Sequence, residues 1–199
     1  LFNLSQKDNY GVLEIGMDKK GEIGNLSKII KPDVAVITNI SYAHIKNFRN
    51  IKQIALAKSE IIQNNKKRES LILNADDAFY RLHKKIALKN NIKVCSFSLK
   101  NKNSHINLNS IKRYKTKYKV CVNVLGIKKY FYLNSNFEND LKNLLAAISV
   151  ISIFENISDL DINIFYNNKT PNGRGDISKV KILNKSFYLI DESYNSNPM

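Results

Sequence analysis

The feature that most restricts the fold of this chain is the alternation, through its first half, of short apolar runs with helix-like segments. Tyr10–Ile15, Val34–Thr38, Leu71–Leu73 and Val94–Phe97 read as buried strands. Between them lie a short helix over Leu26–Ile30 stopped by Pro32, a helix from Ile51 to Gln63 that Asn50 can cap, and a helix over 77–90. Apolar runs without polar alternation suit strands covered on both faces. Strand and helix in turn at this spacing therefore predict an α/β fold with a doubly wound, mostly parallel sheet.

The texture then changes. Tyr114, Thr116, Tyr118, Val120, Val122 and Val124 alternate with polar or smaller residues, Gly126 offers a turn, and Tyr130–Leu133 return, which predicts an antiparallel β unit. Leu141, Leu144, Leu145, Ile148 and Ile151 mark one long amphipathic helix, with Asp140 placed to cap it. After Pro171 a Gly173-Arg-Gly175 junction precedes two short strands, at 177–183 and 186–190. The expected division is one domain over 1–169 and the opening of a second over 170–199. Leu1 at the start, and a dense polar run just before Met199, read as an internal piece of a longer protein.

Composition narrows the class. The 199 residues are 43% hydrophobic and 25% charged, with 7 Gly, 3 Pro and 2 Cys, which excludes low-complexity disorder, collagen and a disulfide scaffold. Cys95 and Cys121 fall in strand patterns and read as buried thiols of a reducing compartment. No apolar run approaches the length of a membrane span. The net charge of +15 invites a nucleic-acid hypothesis, and the basic, tyrosine-bearing stretch Lys100–Tyr132 is its best support. However, 28 Asn and 26 Ile accompany the lysines, and all three are residues of A/T-rich codons. The stretch then reads as a hairpin with a solvated lysine face, and no nucleic-acid-binding signature accompanies it.

Three residues point to chemistry. Lys58 falls inside the apolar stripe Ile51, Ile54, Ala55, Ile61, Ile62, where an ammonium is costly unless it snorkels out or finds a partner. It reads either as a snorkelling lysine or as a functional one held in a cleft. Glu14 is expected at the carboxyl end of the first strand, and His44 lies in the loop after the second. Ligands of open α/β sheets bind at that edge, and a carboxylate with an imidazole there can hold a divalent metal facing phosphates. Alone, His44 reads as an ordinary loop histidine. Gly16 to Gly21 has the first spacing of a phosphate-binding P-loop, but Glu22-Ile23 follows in place of Lys-Ser/Thr. A phosphate cradle is therefore expected upstream of Leu1. Serine-nucleophile and zinc signatures are absent from the sequence.

In order along the chain stand Glu14-Ile-Gly-Met17, Gly21-Glu-Ile23, Ile37-Thr-Asn-Ile40, Ala43-His44, Ile54-Ala-Leu-Ala-Lys58-Ser-Glu-Ile61 and Leu73-Asn-Ala-Asp-Asp77. Asn143-Leu-Leu-Ala-Ala147, Pro171-Asn-Gly-Arg174 and Leu189-Ile-Asp-Glu-Ser-Tyr-Asn-Ser-Asn-Pro198 follow. This ordered set resembles the Mur ligase family over nearly the whole chain. Gly21-Glu-Ile23 and Tyr194-Asn-Ser-Asn-Pro198 resemble most the branch that joins D-Ala-D-Ala to UDP-MurNAc-tripeptide in peptidoglycan precursor synthesis.

The resemblance implies a P-loop-type central domain followed by the start of a Rossmann-like C-terminal domain. It implies an ATP-dependent, cytoplasmic, monomeric amide ligase that works through an acyl phosphate and uses Mg2+. Glu14 and His44 would be magnesium ligands, and Lys58 would be the lysine carbamylated by CO2. Arg174 would reach the nucleotide phosphates, Asp191 the ribose hydroxyls, and Asn143 the adenine. Where the family has His-Asn, this chain has Asn139-Asp140, so an adenine contact at Asp140 would lack the amide donor. By this reading, residues 1–199 alone are inactive and bind no nucleic acid. Its alternatives are another Mur-type ligase with a different amino donor and a basic nucleic-acid-binding module.

Overall fold

The computed structural model describes residues 5, 7–42, 45–63, 70–166, 173, 176–183, 185–191 and 193. Six strands form one mixed sheet in the order β1-β2-β3-β4-β5-β6: β1 (Val34–Ile37), β2 (Ser70–Asn74), β3 (Lys93–Ser98), β4 (Ile106–Tyr114), β5 (Lys117–Val124) and β6 (Ile127–Leu133). Pairing is parallel between β1 and β2 and between β3 and β4, then antiparallel through β5 and β6. The α/β class is thus observed. By contact density the chain divides into two units, residues 1–96 and 97–199.

In the first unit, β1 and β2 run in register from Val34 opposite Ser70 to Ile37 opposite Leu73. Leu71, Ile72 and Leu73 are each no more than 1% exposed, the sealing on both faces that an uninterrupted apolar strand requires. Each such side chain contributes about 1.5–3 kcal/mol of burial. Helices α1 (Glu22–Ile30), α2 (Ile51–Lys58), α3 (Glu60–Gln63) and α4 (Tyr80–Lys89) complete the unit. Ile62 of α3 and Ala87 of α4 pack with Ala35, Ile37, Leu71 and Leu73, while Ile54 and Ala57 of α2 pack with Met17 and Ile23.

Three sequence expectations change here. Residues 10–15 form no strand: the segment pairs with no described strand and Val12 is 94% exposed, so apolar residues alone did not suffice without a backbone partner. The predicted helix 51–63 is two helices, broken at Ser59, whose hydroxyl donates back to the Leu56 carbonyl at 2.6 Å. The helix placed at 26–30 begins earlier, at Glu22. Asn50 does cap α2, accepting from the Gln53 N–H at 3.0 Å.

The second unit holds the antiparallel part of the sheet, with β4 as a separate strand that the sequence pattern did not disclose. Thr116, read as a strand residue, lies in the two-residue turn between Tyr114 and Lys117. The β5–β6 turn is Leu125-Gly126, with φ of 51° and 95°. Both values lie in the left-handed region that a two-residue hairpin turn demands. Val120, Val122 and Phe131 are fully buried together with Leu145 and Ile148 of α5 (Glu138–Phe154), which packs on β4 and β5. Strands β7 (Asp176–Ile182) and β8 (Lys185–Asp191) pair with each other as a separate two-stranded sheet.

Candidate active site

Lys58 ends α2. Its Nζ donates to the Asn39 carbonyl, just beyond β1, at 3.1 Å. Half-buried, the amine has its pKa lowered from the usual lysine value by desolvation, with the nearby Asp77 carboxylate pulling the other way. Lys58 is thus anchored on backbone at the carboxyl edge of β1, the edge where α/β proteins place their ligands.

The N–H of the same peptide unit is held as well. The Ile40 N–H donates to Asp77 Oδ2 at 2.7 Å, and Asp77 Oδ1 accepts from the Phe79 N–H at 2.8 Å. Asp77 thereby ties the loop after β1 to the turn after β2. Behind it, His83 on α4 is 2% exposed, with Nε2 2.9 Å from the Ala55 carbonyl. Desolvation lowers its pKa, which keeps the ring neutral.

The loop with half a P-loop spacing is closed to phosphate by its own carboxylates. Glu22 Oε2 accepts from the N–H groups of Asp18 and Lys19, at 2.6 and 3.0 Å. The buried Glu60 carboxylate accepts from Gly21 N–H at 2.8 and 2.9 Å and from Gly24 N–H at 3.2 Å. These are the orphan donors at the start of α1, where Gly21 adopts φ 94°. Four backbone N–H groups of this loop, those of Asp18, Lys19, Gly21 and Gly24, are therefore occupied by carboxylates, in accord with the missing Lys-Ser/Thr. Sequence reasoning gave Glu60 and Asp77 no role. Two signals were available: an acid two residues beyond Lys58 on a buried face, and an acid just past the carboxyl end of β2.

Glu14 stands on the exposed extended segment before this loop, not at the end of a strand, which corrects the position expected of it. His44 lies outside the described residues, as does Arg174. Among the described residues no three His, Cys, Asp or Glu side chains gather as a metal site.

In the second unit Asp140 is the third residue of α5, not its cap; Phe137 holds that position, and Asp140 and Glu138 place negative charge in the first turn. The reason is that the helix starts three residues earlier than the apolar stripe suggests, at Glu138 instead of Leu141. Asn143 is exposed one turn along, on the same side as Asp140. Asp191 closes β8, and hydrogen bonds from Ser193, including its N–H at 2.9 Å, lower the Asp191 pKa. Cys121 is buried, as expected of it; Cys95 is half-buried, and desolvation raises its pKa to about 11.

Residues 1–151 match the Mur ligase middle domain family. The UDP-N-acetylmuramoyl-tripeptide–D-alanyl-D-alanine ligase of Borreliella burgdorferi is 28% identical over 212 aligned positions, covering 99% of this chain and 40% of that protein. The same-named ligase of Buchnera aphidicola (from Acyrthosiphon pisum) is 31% identical, covering 99% of this chain and 42% of the relative. A crystal structure of MurF from Acinetobacter baumannii superposes with a TM-score of 0.81 at 24% identity, over 98% of this chain and 41% of that one. MurF from Thermotoga maritima, solved in complex with ADP, gives 0.72 at 23% identity, over 95% of this chain and 43% of that one. The chain thus spans about two fifths of the length of the relatives it matches.

Proposed function

This chain belongs to the Mur ligase family, through that family's middle domain, and on that premise we propose that it is the nucleotide-handling part of a ligase that adds D-Ala-D-Ala to UDP-MurNAc-tripeptide. In that reaction the terminal carboxylate of the tripeptide attacks the γ-phosphorus of ATP, and ADP leaves. The D-Ala-D-Ala amine adds to the acyl phosphate carbonyl, loses a proton, and the tetrahedral adduct expels inorganic phosphate. Residues 1–169 are assigned to the middle domain and 170–199 to the opening of the next, in keeping with the separate pairing of β7 and β8. We place the ligase in the cytoplasm, where its nucleotide substrates are made, as a monomer; no described helix is long and apolar enough to cross a membrane.

The observation that carries this reading is the anchored amine of Lys58. Its lowered pKa enlarges the neutral fraction, the form that takes up CO2 with release of a proton. A carbamate on Lys58 and the Glu14 carboxylate would supply the hard oxygen donors that suit Mg2+, with the His44 imidazole as a further, softer ligand, and the ion would neutralise developing phosphoryl charge. The remaining assignments are adenine at Asn143 and Asp140, phosphates at Arg174 and ribose at Asp191. The occupied N–H groups of the 18–24 loop exclude it as the phosphate cradle.

The test is intact-mass and peptide-level detection of CO2 on Lys58, together with ligation by the complete ligase carrying Lys58→Ala. The expected outcome is a bicarbonate-dependent adduct on Lys58 and a loss of ligation on the order of a hundredfold or more. Undiminished ligation by Lys58→Ala would remove the reading. Residues 1–199 alone are expected to give no ligation.

A further inference from the structure

Asp77 and Lys58 meet the two ends of one peptide unit. The Ile40 N–H points to Asp77 Oδ2 at 2.7 Å, and the carbonyl of the same peptide, that of Asn39, accepts from Lys58 Nζ at 3.1 Å. A carboxylate accepting at the N–H end and the Lys58 Nζ–H donating at the carbonyl end polarise the peptide in the same sense, so each hydrogen bond strengthens the other. The short distance to Asp77 is that of a charge-assisted bond. The second oxygen of Asp77 is fixed by the Phe79 N–H at 2.8 Å, so the carboxylate cannot turn away. Among the described residues, the Asn39 carbonyl of this peptide is what holds Lys58 Nζ at the sheet edge.

We propose that Asp77 is a positioning residue that sets the place of the Lys58 amino group through the Asn39–Ile40 peptide, touching neither substrate nor nucleotide itself. The inference rests on the reading of Lys58 as a working group of a Mur-type ligase, but the link between the two side chains is separately measurable. Removing Asp77 frees the peptide to rotate about the extended backbone after β1, and the carbonyl that holds Nζ moves with it. Asparagine at 77 removes the charge and leaves one acceptor oxygen for the two N–H groups of Ile40 and Phe79, so it weakens the link more mildly than alanine, which leaves none.

The experiment follows the Lys58 side chain by NMR in the full chain labelled with 13C and 15N lysine, its resonance assigned by its disappearance in Lys58→Met. In the wild type the Lys58 signal is expected apart from those of the solvent-exposed lysines. Asp77→Ala should move it into the exposed envelope and Asp77→Asn part of the way, while the methyl signals of Leu71 and Leu73 stay in place. A Lys58 signal unmoved in both variants overturns the proposal. Should Asp77→Ala fail to fold, Asp77→Asn decides alone, an unmoved signal again overturning it. In the complete ligase Asp77→Asn should lower kcat about tenfold with KM for ATP unchanged; unchanged kcat despite a moved signal also overturns it. A moved signal in a protein whose parent performs no ligation would leave the link standing and defeat the ligase reading instead.

Discussion

Individual side chains in the first unit are held in states that water would not favour, and His83 shows how this couples to pH. Its ring is buried and its pKa lies below the ordinary 6.5, desolvation outweighing the hydrogen bond to Ala55. As pH falls through 6.5 the unfolded chain takes a proton on this ring while the folded chain does not, so stability falls until the lowered folded value is passed. His83→Gln should flatten that part of the stability–pH curve, read from urea midpoints across the acid range. An identical slope in the variant would show that the ring carries no such penalty. Glu60 and Asp77 show why much of the site was not legible beforehand. Lys58 could be picked out because a cation on an apolar stripe is anomalous by itself. An acid beside a glycine loop has no such anomaly until the fold reveals which N–H groups face it.

At the level of elements, turn chemistry is the part of the fold most open to direct test. Leu125 is 61% exposed and sits at φ 51° in the β5–β6 turn, a conformation that costs a leucine about 1–2 kcal/mol and an asparagine much less. Leu125→Asn should raise the Tm, by about 0.5–1 kcal/mol of stability. Gly126→Ala should lower it by about 1 kcal/mol through backbone strain alone, since nothing lies within 4 Å of the added Cβ. Thermal unfolding of the two variants checks both signs. Short apolar runs marked β1, β2 and β3, and helical spacing of apolar residues marked α5, because burial dominates their placement. Strand β4 was missed because its outer half, Ser110–Tyr114, is largely exposed and mixes charges with apolar residues. The segment 10–15 was misread for the opposite reason: its residues suit a strand, but a strand is a relation between two backbones.

At the scale of the whole molecule, the net charge of +15 directs attention to the basic β5–β6 hairpin. The tyrosines on the outward face of β5–β6 are covered by the chain's own lysines: Lys117 lies 3.5 Å from the Tyr132 ring centroid and Lys119 4.4 Å from that of Tyr130. Rings engaged in this way are not open platforms for stacked bases. Binding to a labelled single-stranded DNA is therefore expected at low salt only and should vanish at physiological ionic strength, measured by anisotropy. Retention of the complex under those conditions would favour the nucleic-acid alternative. Charge and composition were fully legible in the sequence, yet they say least about function; the informative features are local pairings.

The backbone turns carry a consequence for the gene as well. With only 7 glycines in 199 residues, the chain places Lys31, Asn91, Lys115, Leu125 and Leu183 at positive φ. Four of these five are lysine or leucine, neither of which eases that conformation as glycine or asparagine would. At the codon level each of the four is a place where a change to glycine or asparagine eases a backbone strain of about 1–2 kcal/mol. They form a ready set of restoring substitutions with which stability can be raised before other positions are changed.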